Sequence, residues 1–192
     1  MSLPVTSVEE LIAFAKARPG KLSYASSGVG GTPHLAAELF KTMAGVNIVH
    51  VPYKGQAPAL NDLIGGQVQL MFPNAASVAP HVKSGRLKAL AVTGAHPSAL
   101  YPDLPTVAAA GLPGFESVVM LGMFAPPKTP ATLINRLNQE TVRVLARTDV
   151  KEKLVNVGVE AVGSSPEQFA ATIRSEMARL GKVINDAGIR AD

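Results

Sequence analysis

The sequence predicts an α/β fold: a parallel sheet flanked by helices, followed by a C-terminal helical segment. Three observations point there. Short runs rich in β-branched residues alternate with helical periodicity through the first half. A glycine-rich turn joins one such run to a helix at Ser26–Pro33. Beyond Ala125, amphipathic helices dominate and a single short strand, Val159 to Val162, stands among them.

Taken in order, Ser7 and Glu10 form a capping box for a first helix with an apolar face of Leu11, Ile12, Phe14 and Ala15, stopped at Pro19-Gly20. Leu22 to Ala25 reads as a strand. After it, Thr32 as N-cap and Pro33 as first helical residue mark a helix carrying Leu35, Leu39, Phe40 and Met43, which Gly45 ends. Asn47 to Tyr53 gives a second strand, and Lys54-Gly55 turns into a helix with Leu60, Leu63 and Ile64, closed by Gly65-Gly66. Val68 to Phe72 is a third strand, a short helix lies near Ser77 to Lys83, and Leu87 to Thr93 is a fourth strand. Helical segments between strands imply parallel pairing through right-handed crossovers.

From Pro97 to Gly114, Pro and Gly interrupt the pattern and predict a long ordered loop. Phe115 to Ala125 should form a long strand, ended by Pro126-Pro127. Thr129 then caps a helix, Asp149 opens another, and Ser165 to Gln168 is a second capping box before a helix through Phe169, Ile173 and Met177. These helices need a cover for their apolar faces. One four-residue strand does not supply it, so a sheet from elsewhere or a second copy of the chain should.

Composition narrows the function. The 192 residues contain no cysteine, which removes disulfides, thiolate metal sites and cysteine nucleophiles. The net charge of +4 comes from Lys and Arg scattered singly, without Trp to stack on bases, so no nucleic acid is expected as a partner. The small positive excess favours an anionic small molecule instead. No apolar run reaches the roughly 18 residues that a membrane-spanning helix needs, and the N-terminus, Met1-Ser2-Leu3, leads directly into a capped helix rather than a signal peptide.

The turn itself is an anion cradle. Glycines at 28, 30 and 31 let the backbone bend and expose N–H groups, the helix dipole adds positive potential, and Ser26, Ser27 and Thr32 add neutral donors. Stronger labels fail on the residues. A P-loop needs a lysine that the segment lacks, and a dinucleotide fingerprint needs Gly where Pro33 stands, so no cofactor is expected. A Ser-His hydrolase built from Ser26 or Ser27 with His34 lacks the Gly-x-Ser-x-Gly elbow, and no enzyme is expected. His50, His81 and His96 have no metal-ligand spacing, so no metal is expected and all three read as structural or solvent-facing. Ligands of open parallel sheets sit beyond the carboxyl ends of the strands. That rule collects Ser26 to Thr32, Tyr53 with Lys54, Asn74 with Ala75, and Thr93, a surface suited to binding rather than catalysis.

Six segments in this order and spacing, YASSGVGGTPHLAAELF, VHVPYKGQAPALNDLIGGQVQLMF, LKALAVT, LPTVAAAGLPGFE, GMFAPPKTP and SPEQFAATIRSE, resemble the substrate-binding proteins of tripartite tricarboxylate transporters, the Bug- or TctC-type receptors. The likeness runs from about Val5 to Ile189. It implies a Rossmann-like domain, the second domain of a type II-like periplasmic binding protein, at residues 1–118. Residues 119–192 would be a crossing strand and helical tail that complete the first domain. It implies a periplasmic receptor that binds a small carboxylate and passes it to membrane transporter subunits, here lacking most of the first domain and the signal peptide. The ligand-binding residues implied are Ser26, Ser27, Gly28, Gly31, Thr32, His34, Tyr53 and Asn74. Met120 stands where the family commonly has an aromatic. The alternative expectation is a homodimer joined through the exposed C-terminal helices, an interaction module with no ligand of its own.

Overall fold

Ser7 accepts a hydrogen bond from the Glu10 N–H at 3.2 Å and starts helix α1, Val8–Lys16, which buries Val8, Leu11 and Ala15. The Glu10 carboxylate reaches back one residue further than a standard capping box, to the N–H and hydroxyl of Thr6. In this computed structural model, which describes residues 3–190, the chain continues through β1 (Ser23–Ser26), α2 (Thr32–Ala44), β2 (Val49–Pro52), α3 (Gln56–Ile64), β3 (Leu70–Met71), α4 (Ala75–Lys83), α5 (Ala131–Leu145), α6 (Thr148–Asn156) and α7 (Pro166–Asp186).

The sheet is parallel with order β2-β1-β3, so β1 is central. Tyr24 pairs with His50 on one side and with Leu70 on the other. The core gathers Tyr24, Phe40, Ile48 and Phe115, all nearly inaccessible, with Val107, Leu112 and Val183 around them. Phe40 meets Phe115 edge-on at 6.3 Å and Phe72 at 5.6 Å, which are favourable aromatic geometries.

Several expectations need correction. Helix α2 begins at Thr32, with Gly31 in extended backbone as its N-cap and no side-chain cap, because the loop reaches the helix one residue early. The third strand pairs over two residues only. Leu87 to Thr93 is not a strand: it makes an isolated bridge from Val92 to Thr106, although Leu90 and Ala91 pack on the core. Neither Phe115 to Ala125 nor Val159 to Val162 forms a strand, because an extended segment is a strand only when a neighbour takes up its amides and carbonyls. Helix α4 starts at Ala75 rather than near Ser77. Thr129 does not cap α5; its hydroxyl bonds the Pro126 carbonyl and Pro130 takes the cap position. Helix α6 opens at Thr148, and Asp149 pairs with Arg147 at 3.0 Å. The capping box before α7 forms as read, with reciprocal bonds between Ser165 and Gln168.

Two compact units result, residues 1–118 with 182–192 and residues 119–181. The second holds α5, α6 and most of α7. Neither α5 nor α6 has a buried residue, and Leu121, Phe124 and Met177 are at least 70 % exposed. Gly122 runs against Phe169 so closely that a Cβ there would lie 2.1 Å from the ring, so any side chain at this position would have to displace that ring. No helix among the described residues is long and apolar enough to cross a membrane.

Candidate functional site

Strand alternation sends Tyr24 and Ser26 to the same face of β1, and both are fully buried. Register brings His50 beside Tyr24, with ring centroids 4.8 Å apart and nearly parallel. His34, two residues into α2, lies flat on His50 at 3.9 Å. One turn further along α2, Glu38 accepts the Tyr24 hydroxyl at 2.5 Å and the Lys41 ammonium at 2.7 Å. A buried polar cluster of two histidines, a tyrosine and an ion pair thus lies beneath the glycine-rich turn. Among the described residues no buried side-chain nitrogen or oxygen lacks a partner.

The cluster is wired to the turn at two points. Ser26 Oγ sits 2.6 Å from His50 Nε2, 3.0 Å from the Gly28 carbonyl, and accepts from the Gly28 N–H at 3.3 Å. A hydroxyl has one hydrogen, so all three contacts hold together when His50 Nε2 carries a proton and donates it, leaving the serine hydrogen for Gly28. An imidazole in that state cannot activate Ser26 as a nucleophile. The second point is His34, whose Nδ1 accepts the Gly30 N–H at 3.0 Å.

Two of the cradle's amides, Gly28 and Gly30, are therefore taken up by the protein's own side chains. The N–H groups of Val29, Gly31 and Thr32 make no hydrogen bond among the described residues, and Val29, Gly30 and Thr32 are exposed. Gly28 and Gly30 adopt φ of 142° and 74°, which side chains disfavour. Gly31 does not, and the expectation that all three glycines are needed for the bend is corrected to two.

The loops after the three strands meet at one sheet edge: the Gly55 N–H donates to the Ser27 carbonyl at 3.2 Å, and Gln56 bonds Ser77 across α3 and α4. Tyr53 and Asn74 stand at this edge with their polar atoms engaged. The Tyr53 hydroxyl donates to Asp62 at 2.7 Å, and Asn74 accepts the Ala76 N–H at 3.0 Å as the N-cap of α4. Sequence reading singled out His34 and Ser26 but missed Tyr24, Glu38, Lys41 and His50. The His34–Glu38 spacing of one helical turn was the available signal.

Burial pushes the Tyr24 hydroxyl up, assisted by its bond to Glu38 and that group's charge. It lowers His34, with Glu38 opposing and Lys41 assisting. His50 is lowered to about 4, first by burial, then by the neighbouring His34. A depressed imidazole leaves the unfolded chain to take up the proton first. Its contribution is complete above the ordinary value of 6.5, falls with pH below it, and levels off near 4. Solvent screening leaves an expected loss of about 1–2 kcal/mol for His50 across that window. Urea titrations at intervals of pH read it, and a His50→Gln variant whose stability falls just as steeply would refute the assignment.

The model of the tripartite tricarboxylate transporter family receptors matches residues 1–189. The chain belongs to this family. It is 39% identical over 186 residues to a UPF0065 protein from the tcbD-tcbE intergenic region of Pseudomonas sp. strain P51, covering 96% of this chain and 55% of that one. It is 35% identical to the protein BugT of Bordetella pertussis, covering 98% and 58%. Among solved structures it resembles Rpa4515 of R. palustris with adipate, with 42% identity, a TM-score of 0.85 and coverage of 98% and 63%. It also resembles MatC of Rhodopseudomonas palustris with bound malate, with 28% identity, a TM-score of 0.72 and coverage of 94% and 63%. This family member thus spans less than two thirds of the length of these relatives. The α/β fold with a parallel sheet flanked by helices is shared with these receptors.

Proposed function

We propose that the chain is part of a periplasmic solute-binding receptor that holds a small carboxylate at the Ser26–His34 turn and serves a tripartite tricarboxylate-type transporter. Residues 1–118 act as the receptor's second, ligand-binding domain, and residues 119–192 belong to the crossing segment and first domain. The family match carries this reading. The open amides of Val29, Gly31 and Thr32 at the start of α2 support it, as do the adipate and malate bound by two relatives. Ser27, Gly31 and Thr32, with the amide of Val29, would contact the carboxylate, with Ser26, Gly28 and His34 shaping the turn from beneath and Tyr53 and Asn74 bordering it. The reading involves no catalysis: a carboxylate is held by neutral donors and released unchanged.

Enclosing a carboxylate costs several kcal/mol of hydration, offset by charged-to-neutral hydrogen bonds of roughly 1.5–3 kcal/mol each. Three free amides on one wall exclude little water. The expected affinity of this chain alone for adipate or malate is about millimolar, equivalent to roughly 4 kcal/mol. Calorimetry with a panel of dicarboxylates measures it; micromolar binding would refute the single-wall argument, and no binding of any carboxylate would refute the receptor reading.

A second reading is favoured by the apolar exposure of Leu133, Leu137, Val144 and Met177: these faces pair with a second copy of the chain, giving a homodimer without a ligand. Light scattering at low concentration decides it, since a monomer rules out the compulsory dimer.

A further inference from the structure

The Gly30 amide of the cradle is not idle: it is held by a titratable side chain. We propose that His34 gates the cradle by protonation, its neutral ring occupying the Gly30 amide and its protonated ring releasing that amide and adding a cationic donor, so that anion binding is coupled to proton uptake. This rests on the reading of the turn as an anion site and adds its regulation.

The geometry fixes the sign. His34 Nδ1 accepts from Gly30 at 3.0 Å, which requires an unprotonated nitrogen there. The neutral ring therefore carries its hydrogen on Nε2, the atom 3.9 Å from Glu38 Oε1. Protonation converts Nδ1 to a donor facing the Gly30 N–H, and two donors cannot share that contact. Gly30 can give way, because its φ of 74° is one a glycine leaves freely and nothing lies within 4 Å of where a side chain would be. An imidazolium N–H and a freed amide then stand at the same turn as the open amides of Val29, Gly31 and Thr32.

Burial is the first influence and holds the His34 ring below the ordinary imidazole range, and the groups facing it then adjust when protonation happens. From α2 come Glu38, which favours the charged ring, and Lys41, which opposes it. From β2 comes His50, stacked at 3.9 Å, and from β1 Tyr24, at 6.3 Å. Glu38 is already engaged by Tyr24 and Lys41, so it is an incomplete counter-charge. A bound carboxylate would supply the missing one. The stacked rings disfavour two adjacent positive charges, and of the two it is His34 whose Nδ1 faces the turn where a bound carboxylate would lie. By linkage, whatever factor the anion adds to proton affinity, the proton adds to anion affinity.

The test follows the His34 ring and the Gly30 amide by nuclear magnetic resonance across a pH titration, without ligand and with excess adipate. The expected result is that the Gly30 amide shifts with the His34 midpoint, and that adipate raises this midpoint. A His34→Gln variant offers Gly30 an acceptor that does not titrate. Relative to it, the wild-type chain should gain about threefold in adipate affinity between about pH 7.5 and about pH 5.5, the ligand's own titration cancelling in the ratio. A Gly30 amide indifferent to His34, or a midpoint unmoved by bound adipate, overturns the gate while leaving the receptor reading intact. Adipate that fails to bind at every pH overturns the gate, and the receptor reading falls with it only when every other carboxylate of the panel fails too. The first two measurements use the wild-type chain, so a poorly folding variant does not decide the outcome.

Discussion

Phe40→Ala is expected to lower the unfolding free energy by about 3–5 kcal/mol, the range for emptying a buried aromatic site. Phe40 is 2 % exposed and lies where α2 meets Phe72 and Phe115. Its removal strips dispersion contacts from both partners and leaves a void that the sheet cannot close, because β1 beneath α2 is held by strands on both sides. Phe40→Leu keeps most of the volume and should cost about half as much. Denaturant titration reads the difference as a shift in midpoint at constant slope. A loss below about 1 kcal/mol for the alanine variant would show that this aromatic contact is not the centre of the core.

The next largest effect is expected at Glu38. Glu38→Ala removes the acceptor of the Tyr24 hydroxyl, and Tyr24 is wholly buried, so its O–H is left without a partner at a cost of about 2–3 kcal/mol. Lys41, only partly buried, turns to water and adds little. Glu38→Gln keeps an oxygen in place and should lose about 1 kcal/mol. The cause is separable: with Tyr24→Phe already present there is no hydroxyl to orphan, so Glu38→Ala should then cost clearly less. Equal losses in the two backgrounds would mean that the carboxylate acts through the helix alone.

Much of this architecture could be read from residues one turn or two positions apart. Ser7 with Glu10, Gly45 at the end of α2, and Ser165 with Gln168 are local devices, and each appears where the spacing places it. Pairing is not local. Leu87 to Thr93 has the composition of a strand because Leu90 and Ala91 are packed on the core, yet composition reports burial and says nothing of whether a neighbour takes up the backbone. The same holds for Phe115 to Ala125. At the site, the glycine turn was legible as a turn, but the Ser26–His50 contact crosses from β1 to β2. No spacing reveals a bond set by strand register.

The flat stacking of His34 on His50 also gives the molecule an internal reporter. Ring currents of each imidazole act on the protons of the other, so their resonances are displaced from those of His81 and His96, which have no such neighbour among the described ring contacts. A simple proton spectrum can therefore distinguish the two histidines under the turn from the two elsewhere, without a label and without altering a residue.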